Sequence, residues 1–213
     1  MHPLLAIFRD AAAGRFPAID GGVTFLPPLE HGQEAVVAFT GHAFIASRLD
    51  PEDLSHLRPD GFGQALHPEI LLRMAGPEGA IGSVDVTMWA EGRGGGRLRP
   101  NPDLDDHPRV RFARARREEV QAYGRSDGLF TLGVGLGGRR EMSVENSSDG
   151  RRGRALIEEA LAMTPPGEPL FAAVAPGNAR SLRAFLACGF TPIGSEVLIR
   201  VGGLGMAKPG QVN

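Results

Sequence analysis

The sequence predicts a mixed α/β fold, and three observations carry that prediction. Stretches with helical apolar spacing alternate with stretches of period-2 or continuous apolar character, so neither an all-helical nor an all-strand class fits. Hydrophobic residues make up 42% and charged residues 23% of 213 residues, close to a soluble globular protein and unlike a disordered chain. The 30 glycines and 17 prolines stay below the roughly 25–30% that marks low complexity, and so read as turns between elements. One substantial domain is the default at this length.

Residues 4–12 place Leu4, Leu5, Phe8, Ala11 and Ala12 on one helical face, closed by Gly14 and Pro17. Val23–Leu26 and Ala35–Ser47 read as strands, forming a hairpin or an adjacent pair, bounded by Pro27-Pro28 and Asp50-Pro51. Two helices follow: Pro51–Leu57, with acids in its first turn, and Pro68–Ala75, with Ile70, Leu71 and Met74 inward. Ala80–Ala90 alternates as a strand, and residues 93–106 form a Gly, Arg, Pro and Asp loop expected to be a flexible hinge or a subdomain boundary. Beyond it the pattern predicts a strand over Val110–Ala115, a helical turn over Glu118–Tyr123, and strands over Leu129–Leu136 and Glu141–Glu145 joined as a hairpin through Gly137-Gly138. Arg152–Met163 reads as a helix stopped by Pro165-Pro166, and Leu170–Ala175 as a buried strand. Asn178–Cys188 is a helix capped by Asn178, with Leu182, Phe185 and Leu186 inward and Gly189 at its end; Pro192–Val201 is a last strand before a tail from 202 to 213.

Several functional classes fit poorly. No run approaches the roughly 18 apolar residues of a membrane span, and Arg9 and Asp10 interrupt the N-terminal apolar cluster too early for a signal peptide, so a cytoplasmic location is expected. The single cysteine, Cys188, excludes an internal disulfide and a cysteine-based zinc site. A net charge of -2 argues against a general nucleic-acid binder. Only Lys208 is lysine among 23 basic residues, a compositional bias that lowers the weight of any one arginine. Basic residues nevertheless cluster, with 14 Arg against 9 acids over residues 93–154 and 5 Arg against 12 acids over residues 1–92. Gly133, Gly135 and Gly138 fit a dinucleotide fingerprint by letter, yet the following Arg139–Glu145 alternates as a strand where that fingerprint needs a helix, so a glycine-rich hairpin is the reading. His42 sits mid-strand in an apolar run and reads as a structural histidine.

The C-terminal hundred residues carry a resemblance. Strand Glu141–Glu145, the stretch Gly150-Arg151-Arg152-Gly153-Arg154-Ala155-Leu156 opening a helix, strand Leu170–Ala175, then Asn178-Ala179-Arg180-Ser181-Leu182 with Cys188-Gly189-Phe190 are similar in order and spacing to the acetyl-CoA-binding core of the GNAT superfamily of N-acetyltransferases. The resemblance implies a mixed, mostly antiparallel central sheet flanked by helices, with residues 107–201 as the acetyl-CoA-binding core and residues 1–92 as the rest of the sheet and the acceptor side. In that family an R/Q-x-x-G-x-G/A stretch holds the CoA pyrophosphate at a helix start. Here either Gly153 is the first glycine, with Ala155 second and Gly150 at the R/Q position, or it is the second, with Arg151 first and Ser148 at R/Q; the second register leaves Leu156 facing the core and is preferred. Arg151, Arg152 and Arg154 supply positive charge at that helix start.

The resemblance further implies that the two strands splay, so that backbone groups of Met142, Ser143 and Val144 pair with the pantetheine arm. It implies that Asn178 meets the pantetheine or caps the helix, and that Glu141 stands where some members carry a general base. Many members place a tyrosine four residues before the glycine of Gly-Phe to reprotonate the leaving thiolate; that position is Phe185, and Ser181 and Cys188 are the nearby candidates for an acid. The expected function is acetyl transfer from acetyl-CoA to an amine, with no metal, no nucleic acid and no membrane, and with a homodimer left open. The excess acid of residues 1–92 suits a cationic acceptor. The alternatives are a catalytically silent acyl-CoA-binding regulatory module and, more weakly, a thioester or ester hydrolase.

Overall fold

The structure, a computed structural model, describes residues 1–147 and 150–202, with backbone alone for His31, Gly150 and Arg151. In chain order its elements are α1 (Pro3–Ala12), β1 (Val23–Leu26), β2 (Gln33–Phe39), β3 (His42–Ala46), α2 (Pro51–Ser55), α3 (Pro68–Ala75), β4 (Ala80–Ile81), β5 (Asp85–Glu91), α4 (Pro108–Arg114), β6 (Glu118–Arg125), β7 (Gly128–Val134), β8 (Arg140–Asn146), α5 (Gly150–Met163), β9 (Pro169–Val174), α6 (Ala179–Ala187) and β10 (Thr191–Arg200). The class is mixed α/β, with mostly antiparallel strand pairs, while β1/β3 and β8/β9 are parallel. No helix of the described residues is long and apolar enough to cross a membrane.

The chain forms two compact units, with boundaries at 17/18, 84/85 and 195/196. The first contains residues 1–17 and 85–195, so the 93–106 loop lies inside it. Its strands run in the order β5-β9-β8-β7-β6. Their core is built from Met88, Phe130, Leu132 and Met142 on the sheet and Ile157, Leu161 and Phe185 on α5 and α6, with Tyr123 stacked on Phe130 at 5.0 Å between ring centroids. A smaller cluster of Leu104, Val110, Ala122 and Leu129 holds α4. In the second unit, residues 18–84 with the chain from 196, the β2/β3 hairpin turns at Thr40-Gly41 and β1 lies parallel to β3. Val36, Ile45, Leu54, Ile70, Met74 and Val197 form its core.

Two expectations are reversed between 108 and 125. Val110–Ala115, expected as a strand, lies mostly in helix α4: the His107 ring accepts from the Arg109 N–H at 3.2 Å, Pro108 opens the first turn, and only Val110 and Ala113, three apart, turn inward. Glu118–Tyr123, expected as a helical turn, is strand β6, because pairing along β7 outweighs a local preference that acidic residues suggested. The register slips between Glu118 and Gln121, where Glu119 takes φ 52°. Ala35–Ser47 is a hairpin and not one strand, Ala80–Ala90 is interrupted at residues 82–84, and Leu186 is exposed. Residues 203–213 of the expected tail lie outside the described residues. Phe130 is fully buried among these layers, so Phe130→Ala is expected to lower unfolding free energy by about 3–5 kcal/mol, read from urea titration. An unmoved midpoint would place the core elsewhere.

Candidate functional site

The parallel pairing of β8 with β9 is confined to one register position, Glu141 opposite Phe171. On its other side β8 pairs with β7 at every residue from 140 to 146. The part of β8 beyond Glu141 therefore offers one edge of backbone groups to whatever fills the gap on the β9 side. A cleft of about 440 Å³ opens there, lined by Val144, Glu145 and Asn146 of β8, by Gly153, Arg154 and Ile157 of the first turns of α5, and by Asn178, Ser181 and Phe185 around the start of α6. Asn178 caps α6, its Oδ1 accepting from the Ser181 N–H at 3.1 Å. Phe185 is 3% exposed and packs edge-on against Phe190 with centroids 4.8 Å apart, which fixes an apolar wall.

The cleft is positive. Arg109, Arg154, Arg180 and Arg183 line it against one carboxylate, Glu145, which is held by Arg109 Nε at 3.0 Å. Arg154 and Arg183 are exposed and have no ion-pair partner among the described residues. Such guanidinium groups beside the amides of a helix start suit a phosphorylated ligand.

The residues singled out from the sequence separate into groups. Val144, Gly153, Arg154, Asn178, Ser181 and Phe185 meet in the cleft. Met142 lies in the core, and the Ser143 hydroxyl bonds Thr131 Oγ1 at 2.7 Å. Arg152 points away: it grips Asp127 with two bonds of 2.5 and 2.7 Å, which lowers the Asp127 pKa, and with Ala155 it lines a second concavity of about 510 Å³ beside Arg99 and Arg125. Gly150 opens α5, Arg151 is in it by backbone alone, and Ser148 lies outside the described residues. Cys188 closes α6 within the core, its thiol donating to the Arg154 carbonyl at 3.7 Å; burial pushes its pKa up, against the pull of Arg93 and Arg154. Sequence reading missed Arg109, Glu145, Asn146, Ile157, Arg180, Arg183 and Ala184. Arg180 and Arg183, three apart on a capped helix that also carries Ser181, were legible by spacing; Arg109 was not, because its place depends on α4 being a helix.

Glu141 departs most from expectation. It is 3% exposed, does not line the cleft, and is ringed by Arg139 Nη2 at 3.1 Å, Arg117 Nη2 at 3.6 Å and the Leu136 N–H at 2.8 Å. Burial alone would raise its pKa, but the Arg139 and Arg117 charges and the Leu136 N–H outweigh it and hold it below its ordinary 4.5. A carboxylate held this way is a structural counter-ion and a poor proton acceptor. Because its folded pKa is depressed, its contribution is complete above pH 4.5 and fades as pH falls toward the folded value. Glu141→Gln is therefore expected to cost about 3–5 kcal/mol at neutral pH, with the gap from the parent closing on acidification in denaturant titrations. A gap that stays constant with pH would remove the charge from the account.

No family model matches this chain, and the comparisons find no similar protein among curated proteins and no similar solved structure.

Proposed function

We propose that the protein has a GNAT-like fold and is an acetyl-CoA-dependent N-acetyltransferase acting on an amine of a small molecule or peptide. The single observation that carries this reading is the cleft where β8 leaves β9, with the starts of α5 and α6 and their arginines around it. Arg154 and Arg183, with the first-turn amides of α5, would hold the phosphates, and the edge of β8 beyond Glu141 would bond the pantetheine amides. The acceptor nitrogen attacks the thioester carbonyl, the C–S bond breaks, and the thiolate leaves as the amine proton passes to a base. Glu145 is the carboxylate lining the cleft, and so takes the role first assigned to Glu141. A thiol pKa of about 8.5 makes the thiolate a tolerable leaving group beside Phe185, and Ser181 is the hydroxyl in the cleft lining.

The catalytically silent acyl-CoA-binding module draws support from two observations: Glu141 is buried among arginines, and Phe185 has no hydroxyl. Acetyl-CoA is expected to raise the melting temperature, by the equivalent of about 2.7 kcal/mol at a hundredfold excess over Kd, with Arg154→Ala plus Arg183→Ala weakening binding at least about tenfold. Thiol release that requires an added amine selects the transferase, binding without release selects the silent module, and release without amine selects hydrolysis. No thermal shift at millimolar acetyl-CoA rejects both CoA readings. Phe185→Tyr is expected to raise kcat by up to ~10²-fold with Kd unchanged if leaving-group protonation limits turnover.

A further inference from the structure

A separate constellation sits in the second unit, on residues that the transferase reading does not use. His42, the first residue of β3, bridges two groups from a different stretch of chain: its Nδ1 lies 2.8 Å from Asp20 Oδ1 and its Nε2 lies 2.9 Å from Thr24 Oγ1. Parallel pairing of β1 with β3, Thr24 opposite Phe44, sets the threonine beside the histidine on one face of the sheet. Asp20 is itself fixed, since its Oδ1 also accepts from the Gly22 N–H at 2.7 Å. A side chain at Gly22 would meet both Asp20 Oδ1 at 2.9 Å and His42 Cε1 at 3.3 Å, so glycine leaves the pair its room. With Nδ1–H donated to the carboxylate, Nε2 is the acceptor and the Thr24 hydroxyl donates to it. That is the order nucleophile, base, orienting carboxylate.

Exposure separates this from a satisfied structural network. Thr24 is exposed on β1, the outermost strand of its unit, and water alone could satisfy its hydroxyl; His42 is 12% exposed and locked between its partners. Gly22 and Leu26 direct their carbonyls to β3, so the N–H groups of Val23 and Phe25 face the open edge of β1. Two large apolar side chains flank the Asp20 turn: Ile19, 69% exposed and packed on Gly41, and Phe62, 71% exposed and lying over Gly21. Exposed apolar surface beside a hydrogen-bonded nucleophile suits an apolar acyl chain.

We propose that Thr24, His42 and Asp20 form a second active site that hydrolyses carboxylic esters with a short apolar acyl group through an acyl-Thr24 intermediate. Thr24 Oγ1 adds to the ester carbonyl as its proton passes to His42 Nε2. The C–O bond to the alcohol breaks, and the departing oxygen takes that proton from the imidazolium that Asp20 stabilises. Water, deprotonated by His42, then attacks the acyl-Thr24, releasing the acid and restoring the hydroxyl. The hydroxyls, the ester and water balance the sequence without a further reactant.

The test is hydrolysis of p-nitrophenyl butyrate by the full chain without CoA, so failure of the transferase reading leaves it untouched, combined with peptide mapping of quenched reactions. Nitrophenolate release with one butyryl group on the peptide carrying Thr24 is expected. Thr24→Val should lose turnover and label together, Thr24→Ser should keep both, and His42→Gln and Asp20→Asn should each lower kcat by ~10²–10⁴-fold. A folded parent protein that neither turns over nor labels overturns the proposal, as does a label on another residue. Wild-type rates from Thr24→Val overturn it equally, and should Thr24→Val not fold, the Thr24→Ser result and the site of the parent label decide.

Discussion

The first unit depends on a charge cluster that is largely shielded from water. Arg139, with its side chain fully buried, lies over the Phe8 ring at 4.2 Å and 5.2 Å from that of Phe171, and bonds Glu141, which in turn faces Arg117 and the Leu136 N–H. A buried ion costs several kcal/mol unless its partners are fixed, so each of these elements is constrained by the others. The cluster joins α1, the 135–139 turn, β8, β9 and the residue leading into β6. Its demand for space reaches the backbone: a side chain at Gly135 would collide with the Glu141 carboxylate, and Gly137 turns with φ 67° against Leu4.

That cluster also settles where the cleft can be. Glu141 is the residue of β8 that pairs with β9, opposite the Phe171 on which Arg139 rests. Pinning the two strands at this point, while α5 and α6 pack on the sheet beyond it, leaves their far ends unpaired with each other and the helix starts lining the opening. A carboxylate that looked like a base from its strand-end position thus acts one step back, by holding the strand whose open edge would bind.

Local patterns made much of this legible. The C-terminal succession of strand, helix, strand and capped helix was readable because each element carries its own stop, Pro165-Pro166 after α5 and Gly189 after α6. Where the outcome rests on partners far along the chain, the sequence was silent. Val110 and Ala113 fit a strand as well as a helix until Leu104, Ala122 and Leu129 are beside them. Glu141 gave no sign of burial because Arg117 lies 24 residues earlier and arginine is too common here for any one to stand out. The partners of His42, 22 and 18 residues earlier, were not legible because they reach it through a parallel strand pair, which leaves no hairpin signal.

The basic start of α5 shows how the same residue type can serve two ends of one helix turn. Arg154 points into the cleft without a carboxylate, whereas Arg152 is turned to Asp127 at the end of the β6/β7 hairpin. That pair is exposed, and exposed pairs are held weakly because water and salt screen them. The hairpin itself is held by its backbone pairing to β8 and does not depend on that ion pair. Asp127 therefore orders the Arg152 side chain, while Arg154 and Arg183 face the cleft with no ion-pair partner among the described residues.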